Sequence, residues 1–180
     1  GRPWYYKIRK ELYRMKKKIL AAALATLMIG TVPQMVYAAD GDEMVKSYLT
    51  GLDVPESESR VRPVAVMLNN IREGCPQSGI ANAGVIYEAP VEGDITRLMG
   101  IFEDYQDVER IGSIRSCRDY YIFYANEFDA IYAHYGQSAF ALPYFEQHLI
   151  DNLNGLKLGS TAFFRSSDRK APHNAYTNYE

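Results

Sequence analysis

Histidine and cysteine are scarce in this chain, at three and two in 180 residues. A metal site asks for His, Asp or Glu at a recognisable spacing, such as His-x-x-x-His on a helix, and no such pair is present. Gly-x-Ser-x-Gly, a phosphate-binding glycine loop and Cys-x-x-Cys are also missing, which removes the usual serine-nucleophile, nucleotide and zinc assignments. Positive charge is sparse where the chain folds. The net charge of −2 hides a split: residues 1–38 carry eight Lys or Arg and only Glu11, while residues 39–180 carry 12 basic and 21 acidic side chains, a balance of −9. A domain that acidic offers no broad basic face to nucleic acid.

The split has a cause in the N-terminal pattern. Lys16-Lys17-Lys18 is a basic stretch, Ile19–Gly30 an apolar one, and Val36-Tyr37-Ala38 supplies the small residues a signal peptidase accepts. Residues 15–39 therefore read as a signal peptide cleaved near Ala38 or Ala39, or as an uncleaved anchor, since Ile19 to Ala39 nearly spans a bilayer. Either way the protein is expected outside the cytoplasm, touching membrane only through this segment if it is uncleaved. Residues 1–14 read as an unfolded upstream extension, and 40–60, acidic with Gly51 and Pro55, as a linker. In an exported chain Cys75 and Cys117 permit one disulfide; the alternative is two free thiols.

The remaining residues, 61–180, are long enough for one ordinary domain. Pro63–Leu68 is an apolar run of strand length ending in Asn69-Asn70, and Gly74–Ala83 is a loop by composition. Gly84–Glu92 and Ile95–Phe102, joined by a Gly-containing turn, read as an antiparallel hairpin with Pro90 marking an edge or a bulge. Arg110–Ile114 is a short strand feeding a helix over Ser116–Glu127, whose Tyr120, Phe123, Tyr124 and Phe128 form a stripe suited to packing on a sheet. A strand at Ala130–His134, a helix from Pro143 to Ile150, turns over Asp151–Gly159 and a strand at Thr161–Phe164 follow. The fold class is α+β or mixed α/β: a layered sandwich of mixed sheet, with an antiparallel hairpin, and packed helices.

Arg110–Asp119 is the stretch on which a site centres. Ser116 and Asp119 make a Ser-x-x-Asp capping pair, and Arg115 and Arg118 flank the expected helix start, where unpaired N–H groups already favour an anion. Strand ends bearing Asn69, Asn70 and His134 would meet there if the strands run parallel. The rival for Arg115 and Arg118 is structural pairing with Glu88, Glu92 or Asp94. Glu88 and Glu92, four apart on a strand, could instead act as an acid and base pair on a glycoside, with His134 or His173 assisting. His173 sits in the donor-rich loop Arg169-Lys-Ala-Pro-His-Asn174.

Several blocks resemble the YerB-like lipoproteins of Gram-positive bacteria. They are Arg62-Pro-Val-Ala-Val-Met-Leu-Asn-Asn, Pro76-Gln-Ser-Gly, Tyr87-Glu-Ala-Pro-Val-Glu-Gly, Ile95-Thr-Arg-Leu-Met, Ile111-Gly-Ser-Ile-Arg-Ser, Glu127-Phe-Asp-Ala-Ile-Tyr-Ala-His-Tyr-Gly and Arg169-Lys-Ala-Pro-His-Asn. The resemblance covers about Arg60 to Glu180 and implies an extracytoplasmic protein with a layered mixed fold and a further C-terminal domain. It implies no activity and no cofactor. Members commonly carry a lipid-accepting Cys after the apolar segment, and this chain has none there. The matching polar positions are Asn69, Asn70, Glu88, Glu92, Arg97, Arg115, His134, Lys170, His173 and Asn174. Three readings follow. The first is an envelope protein holding an anionic wall or small-molecule ligand with Arg97, Arg115, Arg118, Lys170, His173 and the three Asn. The second is a wall-glycan hydrolase, and the third a docking module for another envelope protein.

Overall fold

The computed structural model describes residues 43–179, so the extension (1–14) and the signal or anchor segment (15–39) lie outside the described residues. A central sheet has the strand order β4-β5-β3-β7-β8, formed by β4 (Val85–Val91), β5 (Ile95–Phe102), β3 (Val64–Asn69), β7 (Ile131–His134) and β8 (Asn152–Asn154). β4, β5 and β3 pair antiparallel, and β3, β7 and β8 pair parallel, so the expected hairpin and mixed sheet are both present. A second sheet has the order β6-β10-β9, from β6 (Ile111–Gly112), β10 (Ala175–Thr177) and β9 (Phe164–Arg165).

Alternation along the strands divides the apolar residues between two cores. On one face Ala65, Met67, Met99 and Ile101 pack with Tyr121, Ile122 and Ala125 of the helix α2 (Asp119–Asn126). On the other face Val66, Leu68 and Phe102 pack with Ile111, Ile114 and Phe163, beneath the smaller sheet. β3 is buried on both faces, which is why it reads as an unbroken apolar run. Tyr120, Tyr124 and Phe128 of the expected aromatic stripe pack against this core, and the helix's inward face is centred one position further along. Tyr121, Ile122 and Ala125 are its buried residues, while Phe123 is exposed and meets Tyr144 edge-on.

Three further segments depart from the sequence reading. The stretch expected as a linker is folded among the described residues: β1 (Met44–Lys46) pairs antiparallel with β2 (Asp53–Pro55), and a short helix α1 (Glu56–Ser59) follows. Ser47 closes that turn by accepting the Leu49 and Thr50 N–H groups at 3.2 and 3.0 Å, and its hydroxyl donates to Glu103. Local polar bonds of this kind outweigh the low apolar content. The Asp151–Gly159 region is β8 followed by α4 (Gly155–Leu158), where the Asn154 side chain accepts the Leu156 N–H at 3.0 Å. The expected strand at Thr161–Phe164 is instead a helical turn running into β9. The helix α3 (Leu142–Glu146) carries its Pro in the first turn, as anticipated.

A phenol bridges β4 and β5 at the Ala89–Arg97 pair. The Tyr121 hydroxyl accepts the Ala89 N–H at 2.9 Å and donates to the Arg97 carbonyl at 2.6 Å. Burial pushes this phenol up to about 12, so it stays a donor. Tyr121→Phe would remove the phenol's bonds to both backbone groups in the interior. The expected loss is about 1–3 kcal/mol, read from the midpoint of urea unfolding.

Candidate functional site

β3 and β7 run side by side only from Val64 and Ile131 to Val66 and Ala133, and then diverge. The segment after β6 is laid between their diverging ends. The Arg115 N–H donates to the Met67 carbonyl of β3 at 3.0 Å, and the Arg115 carbonyl accepts from Tyr135, just past β7, at 3.0 Å. Ser113 accepts from Asn69 at 2.9 Å and Cys117 donates to Gly136 at 2.9 Å. These ladder bonds explain why the helix does not begin at Ser116. Its hydroxyl donates to the Tyr135 carbonyl at 3.0 Å, and α2 begins at Asp119 after Arg118, without a side-chain cap.

The inserted segment delivers Arg115 and Arg118 to the open end of the first core, where β3 and β5 present Asn69 and Arg97 as a cross-strand pair. Arg97 is 7% exposed. It donates to the Ser116 carbonyl. Burial, then the Arg118 and Arg115 charges, pull its guanidinium down to about 10, while Glu92 is the carboxylate that opposes them. Burial and Arg118 likewise lower Arg115, whose side chain donates to the Pro172 carbonyl at 3.1 Å. Arg118 grips Glu92 side-on, with Nε 2.8 Å from both carboxylate oxygens and Nη2 on one of them. That bond holds the Glu92 carboxyl at about 2. Glu92 thus answers two of the three guanidinium groups, Arg118 directly and Arg97 through its charge.

The loop after β9 forms one wall. Arg169 donates to the Gly74 and Pro76 carbonyls at 2.8 Å each, tying this loop to the one after β3. A Cβ at Gly74 would come within 2.4 Å of the Asn69 side chain, so glycine is required where the loop crosses it. The Asn69 side-chain oxygen accepts the Ile71 N–H at 3.4 Å, and its NH2 faces His173 Nδ1 at 2.9 Å. An amide donating to Nδ1 leaves the His173 proton on Nε2, a further donor. Gln77 donates to the Asn69 carbonyl at 2.7 Å. Gln77, Arg169 and Tyr121 were not singled out from sequence. Gln77 and Arg169 do lie inside the blocks that carry the family resemblance.

The other expected residues are not gathered here. Glu88 lies on the opposite face of the sheet from Arg97, accepting from Thr96 at 2.8 Å and Asn70 at 3.2 Å. Glu92 follows the strand end in the turn and joins Arg118, so the two carboxylates do not form the expected acid and base pair. Asn174 is buried between Arg165 and the Ser166 carbonyl at 2.7 and 2.8 Å, a structural role, and Lys170 is exposed. His134 is completely buried, stacked on Phe145, with Nδ1 2.7 Å from the Gly136 carbonyl and Nε2 3.2 Å from the Asn152 amide. The cysteines are not joined: Cys75 is exposed on its loop, while Cys117 points into the first core and donates to the Arg118 carbonyl at 3.1 Å. Among the described residues no group of three or more His, Cys, Asp or Glu could hold a metal ion, and no helix is long and apolar enough to cross a membrane. A cavity of about 300 Å³ lies by Gln137, Phe145 and Asn152, away from the arginines.

Comparison with known proteins places the fold. A family model described as "Protein of unknown function (DUF3048) N-terminal domain" matches residues 49–180. The chain belongs to this family. It is 37% identical over 168 residues to the protein named "Putative lipoprotein YerB" of Bacillus subtilis (strain 168), covering 92% of this chain and 50% of that protein. The crystal structure of YerB protein from Bacillus subtilis matches with a TM-score of 0.71 at 40% identity, over 75% of this chain and 46% of that one. The YerB-like resemblance and the α+β layering read from sequence are therefore correct. The chain spans about half the length of this relative. The family description assigns no activity.

His134 provides a test of its structural role. Burial lowers its pKa from the ordinary 6.5, so the folded chain keeps the ring neutral where the unfolded chain takes up a proton. The stability this position contributes is complete above about pH 6.5 and declines as pH falls below it. The melting temperature of the wild type should drop more steeply between about pH 7 and pH 5 than that of His134→Gln, measured by thermal unfolding across that range.

Proposed function

We propose that this chain is an extracytoplasmic, cell-envelope-associated protein that binds an anionic ligand where Arg97, Arg115 and Arg118 converge. The observation that carries the reading is Arg97. A guanidinium this buried, beside the charges of Arg115 and Arg118 and opposed by Glu92, which is itself gripped by Arg118, is an expensive arrangement for stability alone. An arriving anion would relieve the mutual repulsion and use N–H donors already in place, with His173 Nε2–H and Asn69 at the margin. The location at the carboxyl ends of β3 and β7, where the parallel strands part, suits ligand binding in mixed sheets. A sugar acid, a phosphate-bearing wall polymer or a carboxylated peptide each has the required charge. The envelope location draws on the N-terminal pattern and on a relative whose printed name is that of a lipoprotein.

Calorimetric and thermal-shift titrations with wall fragments and with inorganic phosphate test this. Arg115→Ala should weaken binding by roughly tenfold, the scale of one charge-assisted bond, and added salt should weaken it further. Arg97→Met should remove binding while leaving the ligand-free protein at least as stable as the wild type. Identical titrations for wild type and Arg115→Ala would reject the site.

A further inference from the structure

Glu92 stands apart from the other charges at this site. Its partner Arg118 is nearly buried, with a side chain 14% exposed, but Glu92 itself is 69% exposed on the tip of the β4–β5 hairpin. That tip is a turn with positive φ at Gly93 and Asp94, and nothing lies within 4 Å of where a Gly93 Cβ would sit. The carboxylate is thus presented to the arginines on a short arm that stands clear in solvent. Its side-on grip by Nε and Nη2 is the geometry a free oxyanion would take.

We propose that Glu92 is the site's resident anion, a tethered competitor that an incoming phosphoryl group displaces from Arg118. This rests on the anion-binding reading above. A carboxylate tethered by a short turn acts at an effective concentration of order mM. A free monocarboxylate offers Arg118 the same two oxygens and gains nothing over the tethered one. A phosphate dianion carries more charge and a third oxygen, so it can engage Arg97 and Arg115 together with Arg118. The arm therefore sets specificity: it excludes simple carboxylates and admits phosphomonoesters or free phosphate. Displacement exchanges one oxyanion for another on the same Arg118 donors and returns Glu92, 69% exposed already, to solvent.

The test is calorimetric titration of the chain at about pH 8, where phosphate is a dianion, with acetate, inorganic phosphate and glycerol 3-phosphate. Wild type, Glu92→Gln and Asp94→Asn are compared, and circular dichroism confirms that each is folded. Wild type should bind phosphate and not acetate. Glu92→Gln should bind phosphate about fivefold more tightly and gain measurable acetate binding, while Asp94→Asn, on the same turn, stays within about twofold of wild type. Tighter binding of glycerol 3-phosphate than of phosphate assigns the ester as ligand, and the reverse assigns the free ion. Wild type that binds phosphate with an affinity Glu92→Gln leaves unchanged or weakens would overturn the competitor role. An equal gain in Asp94→Asn would do the same by showing a general charge effect. No binding of any probe by wild type or Glu92→Gln would overturn the anion site itself.

Discussion

The backbone of one residue, Arg115, joins two strands that would otherwise part. Its N–H reaches β3 and its carbonyl reaches the chain just past β7, each at 3.0 Å. A parallel pair that diverges leaves two rows of unpaired groups in the interior, and such groups are costly unless partnered. Inserting an extended segment satisfies both rows at once. The same insertion fixes where Ser116 and Cys117 lie and delays the helix to Asp119. Placement of Arg115 and Arg118 is a consequence of this ladder.

The charge arrangement at the site depends on that placement. Arg97 comes from a different strand and is held by the pairing of β5 with β3, with the Tyr121 phenol bridging its carbonyl to β4. The three arginines are thereby brought to one place by backbone bonds rather than by mutual attraction. Each bond contributes modestly. Because the arginines spring from paired strands and an inserted segment, their backbone positions cannot separate without breaking the sheet, and Arg97 is further held by its bond to the Ser116 carbonyl.

Much of this was readable along the chain. The apolar run ending at Asn69, the hairpin with its turn at Gly93 and the strand ending at His134 all lie where periodicity and turn residues put them, because each is decided by neighbours in sequence. Ser116 misleads for an instructive reason. A Ser-x-x-Asp pair favours a helix start in isolation, yet its hydroxyl is taken by the Tyr135 carbonyl, 19 residues away. Glu88 and Glu92 mislead similarly: period-two alternation holds within β4 and fails once the chain enters the turn. His134 looked like a chemical group at a strand end and is instead locked between Gly136, Asn152 and Phe145.

By itself the sequence determined the acidic balance of the folding part, the apolar run that forms β3, the antiparallel hairpin and the family to which the blocks belong. These follow from composition and local pattern, which the chain carries wherever it is folded. Only the tertiary structure decided that Arg97, 18 residues before Arg115, stands beside it, that Glu92 rather than Glu88 is the shared carboxylate, and that Cys75 and Cys117 stay apart. Those outcomes depend on which strands pair and which loop crosses which strand. Such long-range contacts are chosen by the burial and hydrogen bonding of the whole domain, and no local stretch encodes them.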